Sequence, residues 1–210
     1  MRTQKPHAKI IGIRDRDYTR YEPNYTKPQN IYLTDEHSLE SMLFHSQNVR
    51  SALESKWKGF SAGFIQVLQD ARHIAQYYIF SSLEDLNVDF NDEKLRLNDF
   101  VDSSNSCMQV DWKDQLRTKF FSLAACQGKS EPDLHRKVSG SNFNNANDYE
   151  VCRGHDLLDT SYNTIHHGSL IPDDIMDVMV KAYTPEDFAN TNLCKELNKW
   201  AKSENVKLMA

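Results

Sequence analysis

Two aspartates separated by a single residue close a short aliphatic run. In "KIIGIRDRDY", residues 9–18, Asp15 and Asp17 follow Ile10, Ile11 and Ile13. Carboxylates at i and i+2 of an extended segment project to one side, so both can address one cation. Hard divalent ions take oxygen ligands, and magnesium is commonly held by one or two carboxylates together with water and substrate phosphate. Glu40, on a helix expected just after the next strand, is the natural third acid. The expected site therefore holds Mg²⁺, or Mn²⁺ in its place, on Asp15, Asp17 and Glu40. The alternative reading is a set of solvated loop acids paired with the interleaved Arg14, Arg16 and Arg20.

The elements that must position these acids follow from the pattern around them. "KIIGI", residues 9–13, is too short and too continuously apolar for an amphipathic helix and predicts a buried strand of a parallel sheet. "YTRYEPNYTKPQ", with two prolines, predicts a loop, and "NIYLT" a second strand. "TDEHSLESMLFHS" then predicts a helix capped by Thr34 or Asp35, with acids in its first turn and an apolar face of Leu39, Met42 and Leu43. On that helix His37 stands one turn from Glu40, where it would contact phosphate, orient the acid, or bond locally. Strand, loop, strand and helix in this order predict an α/β fold with sites at the strand C-terminal ends.

Beyond residue 50 the periodicity is helical. Phe60, Phe64, Val67, Leu68, Ala71, Ile74, Ala75 and Tyr78 predict one helix over 60–80; Trp112, Leu116, Phe120, Leu123 and Ala124 predict another over 111–126. "DEKLRLNDFV" predicts a short strand or hairpin arm between them. Residues 127–150, rich in Asn, Ser and Gly, predict a long loop. Gly154, His155 and Asp156 open a further helix, whose free N–H groups either favour an anion or form an ordinary first turn. His166 and His167 are adjacent, so on a helix they diverge and make poor joint metal ligands. Thr184 and Pro185 start a closing helix with Phe188, Leu193, Leu197 and Trp200 as its buried stripe. Tyr18, Tyr21 and Tyr25 either stack on bases or pack the loop onto the sheet. Residues 1–50 thus form the D-x-D part of the core and 51–210 a mostly helical region packed on it, as one continuous domain.

Composition narrows the classes. The chain has 210 residues, 39% hydrophobic and 26% charged, with a net charge of −5. An acidic balance argues against a broad phosphate-contacting surface, although a local basic groove or a metal ion still admits phosphate. No stretch of eighteen apolar residues predicts a membrane span, and the N-terminus lacks the apolar core of a signal peptide, so the expected compartment is the cytoplasm. Cys107, Cys126, Cys152 and Cys194 are far apart and predict reduced thiols.

Two families share the acid pair. "DRDYT" matches the D-x-D-x-T of haloacid dehalogenase-type phosphatases, which would make Asp15 a phosphoryl-accepting nucleophile and Asp17 a general acid; the later acidic pair that family needs is only loosely matched by "LIPDD". A longer stretch, "IIGIRDRDY…NIYLTDEHSLESML", resembles the D-x-D half of a Toprim domain. More specifically, it is similar to the bacterial Toprim-like family that includes AriB, the effector of the PARIS anti-phage system, itself related to overcoming-lysogenization-defect nucleases. Asp15, Asp17, Thr34, Asp35, His37, Leu39 and Glu40 carry that likeness, with "CRGHDLLD" at 152–159 and "AYTPEDFANTNLCKELNKW" near the end.

The resemblance implies a partial Toprim-like α/β core with parallel strands and a largely helical C-terminal lobe. It implies a Mg²⁺-dependent nuclease acting on RNA, tRNA among the candidates, with Asp15, Asp17 and Glu40 as catalytic metal ligands and Arg16, His37, His155 and Asp156 as substrate contacts. It also implies an ATPase partner and allows a homodimer. A Toprim domain carries its catalytic Glu upstream of the D-x-D, and no Glu precedes Asp15 here. The chain is accordingly expected to be a trimmed member or a piece of a longer protein, folded but nearly inactive alone. The alternative function is a non-catalytic Toprim-like module that binds the ATPase.

Overall fold

The computed structural model describes residues 11–22, 24–102, 107–165 and 172–206. It is mixed α/β and mostly helical, with ten α-helices and two small sheets among the described residues. β1 (Gly12–Arg14) and β2 (Ile31–Leu33) pair in parallel, Gly12 opposite Ile31 and Arg14 opposite Leu33. The expected buried strand is only partly so, because Ile13 is 57% exposed. The cover over the pair is partial: it reaches Ile11 and Tyr32 but not Ile13. Met42, Leu193 and Leu197 form a small cluster with Ile11 and Tyr32.

The helix after β2 starts later than its sequence suggests. α1 (Leu39–His45) is capped by Ser38, whose Oγ accepts the Ser41 N–H, and not by Thr34 or Asp35. Thr34 instead accepts the Arg16 N–H and donates to the Glu36 carbonyl. His37 therefore lies outside the helix and shares no helical face with Glu40. Leu39 is exposed, and Ser41, Met42, Leu43 and Phe44 form the buried side of α1.

α2 (Gln47–Lys56) leads into α3 (Phe60–Leu83), the long central helix. α3 buries Phe60, Phe64, Val67, Ala71, Ile74, Ala75 and Tyr78, as the periodicity predicts. Its first turn is closed from outside: the Glu54 carboxylate accepts the N–H groups of Gly59 and Ser61, both at 2.8 Å. Around α3 the aromatic core continues through Phe44 stacked on Phe64 at 4.7 Å and Tyr77 edge-on to Phe120 at 5.0 Å. α4 (Trp112–Ala125) supplies Trp112, Leu116, Phe120 and Ala124 to that core.

Between α3 and α4 the expected hairpin arm is a 3-10 turn, Leu97–Phe100, running into β3 (Val101–Asp102), which pairs antiparallel with β4 (Cys107–Met108). The expected long loop at 127–150 is largely helical. α5 (Glu131–Gly140) begins with a reciprocal Ser130–Asp133 capping box and buries Leu134 and Val138; α6 (Asp148–Val151) begins with a second box, Asn147–Glu150. Capping side chains satisfy the free N–H groups of a first turn, so short polar sequences hold helices here.

α7 (Gly154–Ile165), α8 (Pro172–Ala182), α9 (Pro185–Ala189) and α10 (Asn192–Ser203) complete the chain. Thr184 caps α9 as expected, but that helix ends at Ala189 and Thr191 caps α10 separately. Leu193 and Leu197 are buried, whereas Phe188 and Trp200 are only partly so. Asp35 accepts the N–H groups of Asn192 and Leu193 at 2.6 and 2.7 Å, tying α10 to the end of β2. Among the described residues no helix is long and apolar enough to cross a membrane.

Candidate functional site

Three separate segments meet at the end of β1. Asp15 is the first residue after the strand, and its Oδ1 accepts the N–H of Leu39, the first residue of α1, at 3.1 Å. Glu40 follows in the same helical turn; its Oε2 accepts the Ser38 hydroxyl at 2.7 Å, and its Oε1 lies 3.6 Å from His155 Nε2 on α7. Each carboxylate thus has one oxygen fixed by a protein donor. Burial raises the Asp15 pKa, the nearby negative charges of Glu40 and Asp17 add to the rise, and the Leu39 N–H opposes it. Two acids of like charge held at one partly buried spot favour a proton or a cation between them.

Asp17 departs from the expected geometry. The strand ends at Arg14, and Asp17 has φ 47°, in the left-handed region, so the same-side rule for extended residues lapses. Its N–H donates to the His37 carbonyl, and its carboxylate approaches Arg14 Nη2 at 3.9 Å. Burial raises its pKa while Arg14 and Arg153 lower it. Arg16 serves the backbone, its Nε donating to the Thr34 carbonyl at 2.8 Å. Arg20 pairs with Glu150 at 2.6 Å. Of the interleaved arginines, Arg14 alone forms an ion pair with the acid pair among the described residues.

Beneath the acids lies a buried polar cluster. His37 is 4% exposed, neither ring nitrogen has a hydrogen-bond partner, and its ring packs edge-on to Tyr18 at 4.6 Å. Burial, helped by the Arg153 charge, depresses its pKa to about 3, so it is neutral and enclosed, not offered to a phosphate. Tyr18 stacks on Tyr78, and the Arg153 guanidinium sits 4.5 Å from the Tyr78 ring centroid. Asp156 is 4% exposed, and burial raises its pKa to about 6 against the opposing Arg153 charge and the Tyr78 hydroxyl. Tyr18 and Tyr21 are core residues that pack the loop and are not presented to bases, while Tyr25 is half-buried. His166 and His167 lie outside the described residues.

This cluster opens into a cleft of about 580 Å³ lined by Tyr78, Phe90, Arg96, Arg153, His155 and Asp156, among others. His155 belongs to both sides: it lines the cleft and faces Glu40. Arg153, Tyr78 and Phe90 were not legible as site residues. The only local hint was the position of Arg153 immediately before "GHD"; Tyr78 looks like one more core position of α3.

The structure therefore gathers Asp15, Glu40 and His155, while Asp156, next to His155 in sequence, faces the cleft beside Arg153 and Tyr78. It sets Asp17 to one side, ties Arg16 Nε to the Thr34 carbonyl and buries His37. Among the described residues no three His, Cys, Asp or Glu side chains stand in metal-ligand arrangement. No family model, curated protein or solved structure matches the chain.

Proposed function

We propose that the protein is a Toprim-type, Mg²⁺-dependent nuclease-like effector that cleaves RNA within an anti-phage defence system and is restrained by an ATPase partner. The observation that carries this reading is the meeting of Asp15, just after β1, and Glu40, in the first turn of α1, at one partly buried point beside His155. A magnesium site needs only one or two carboxylates when substrate phosphate and water fill the remaining positions, and Asp15 with Glu40 meets that need. Asp17 would join by turning from Arg14.

When bound, the cation would polarise the phosphate and lower the pKa of a water. The remaining roles fall to the chain. The Leu39 N–H and Ser38 hydroxyl hold one oxygen of each acid, which fixes the direction of the other. His155, largely exposed beside Glu40, is placed to contact a phosphate oxygen or the leaving group. Among the described residues no third acid or histidine joins Asp15 and Glu40 in a metal-ligand group, and loss of general acid–base help alone costs about 10² to 10⁴-fold, so cleavage is expected to be slow.

The test is incubation of single-stranded RNA, tRNA and DNA with the protein in Mg²⁺ and in EDTA. Slow Mg²⁺-dependent RNA cleavage, abolished by Asp15→Ala and by Glu40→Ala, is expected. Absence of any metal-dependent cleavage, or cleavage unchanged in Asp15→Ala, would contradict the reading.

A further inference from the structure

The cleft beside the acids has the composition of a nucleobase pocket. Its walls include Tyr78 and Phe90, whose ring centroids lie 4.0 Å apart, and the Arg153 guanidinium over the Tyr78 ring. At its floor the Asp156 carboxylate faces the Tyr78 hydroxyl, which interacts with it and with Arg153, and Asp156 Oδ2 is buried with no close hydrogen bond in the protein. Buried polar groups are nearly always paired, and exceptions mark a ligand, a water or a functional role. A volume of about 580 Å³ lies within the range of small-molecule sites. The arrangement is chemically directional: a carboxylate that accepts N–H bonds stands next to a guanidinium that donates them.

We propose that this cleft binds a guanine base of the substrate strand, unstacked from its neighbours, with Asp156 accepting from N1–H and the N2 amino group and Arg153 donating to O6. Guanine is the one common base with two adjacent N–H donors beside a carbonyl acceptor. Reading of splayed bases by aromatic walls and edge hydrogen bonds is how proteins read single-stranded RNA sequence, and arginine is the common donor to guanine O6. His155, shared by the cleft and the acid site, sets the base next to the phosphodiester to be cut. The proposal rests on the nuclease reading for its substrate, and it adds base selection at that site.

The experiment is calorimetric titration of the whole protein in EDTA with the 5′-monophosphates of guanosine, adenosine, cytidine and uridine, and with free arginine, whose guanidinium also offers paired donors. Amide chemical-shift changes locate the bound ligand. The guanosine nucleotide is expected to bind at least tenfold tighter than each other ligand, to shift residues 153–159, and to lose about tenfold in Asp156→Asn. Tyr78→Phe, which keeps the ring, is expected to weaken binding less. No binding, equal binding of all four nucleotides, preference for arginine, or indifference to Asp156→Asn would each overturn the proposal. The titration involves neither a divalent ion nor a scissile bond, so its failure leaves the nuclease reading to the cleavage assay, and failure of cleavage leaves the pocket to this one.

Discussion

A side chain at Gly154 would put its Cβ 2.6 Å from Glu40 Cβ and 2.6 Å from Glu40 Oε2, and against Ser38 Oγ as well. The first turn of α7 can lie against α1 only because residue 154 has no side chain. Gly154→Ala must therefore push α7 away or displace the Glu40 carboxylate. Overpacking of this kind costs about 1 to 3 kcal/mol. Urea unfolding should show a loss in that range; unchanged stability would mean that the two helices are not this close.

Asp35 acts at a distance of more than 150 residues. Its two carboxylate oxygens accept the N–H groups at the start of α10. Removing an N-terminal capping acceptor costs about 0.5 to 2 kcal/mol. Asp35→Ala should lower the urea midpoint accordingly, and Asp35→Asn, which keeps one acceptor, should lower it less. Equal effects of the two variants would argue against capping.

His37 and Asp156 impose opposite pH dependences. His37 titrates at about 3 in the fold against an ordinary 6.5. Its contribution to stability is full above about 6.5 and is lost as pH falls toward 3, because the unfolded chain takes up the proton first. Asp156 titrates at about 6 against an ordinary 3.8, so its contribution is full below about 3.8 and is lost as pH rises through 6. A shift of that size corresponds to a penalty on the order of 3 kcal/mol at pH 8. Asp156→Asn should therefore be more stable than the parent at pH 8, by up to about that amount, with the difference closing toward pH 4. A difference independent of pH would show that Asp156 is not perturbed.

Asp15 can be tested in the same way without metal. Asparagine keeps the acceptor for the Leu39 N–H but removes a charge that burial, Glu40 and Asp17 all disfavour. In EDTA at pH 7.5 Asp15→Asn should be more stable than the parent by differential scanning calorimetry. A less stable variant would indicate that the carboxylate charge contributes favourably to the apo fold.

Much of the fold is legible where periodicity is strong. The strands within "KIIGI" and "NIYLT", the long helix from Phe60 and the helix from Trp112 follow from apolar patterning and appear in the structure. The miss at 127–150 has a local cause: Asn, Ser and Gly content reads as loop, while the Ser130–Asp133 box and the burial of Leu134 and Val138 are enough to hold α5. Asp35 reads as a cap for the nearest helix and caps a distant one, which no local pattern reveals. In the site, the nearness of Asp15 and Glu40 was readable because strand, turn and helix are consecutive. The Tyr78–Arg153–Asp156 cluster was not, because it depends on α3 and α7 packing together.

The central claim, that Asp15 and Glu40 form a divalent cation site, is tested most directly by titrating Mn²⁺ into the protein and following its electron paramagnetic resonance signal. The account predicts one weakly bound ion per chain, displaced by Mg²⁺ and lost in the Asp15→Asn, Glu40→Gln double variant, with Asp17→Asn weakening binding to a smaller degree. Binding of equal strength in the parent and the double variant, or no binding in the parent, would contradict it.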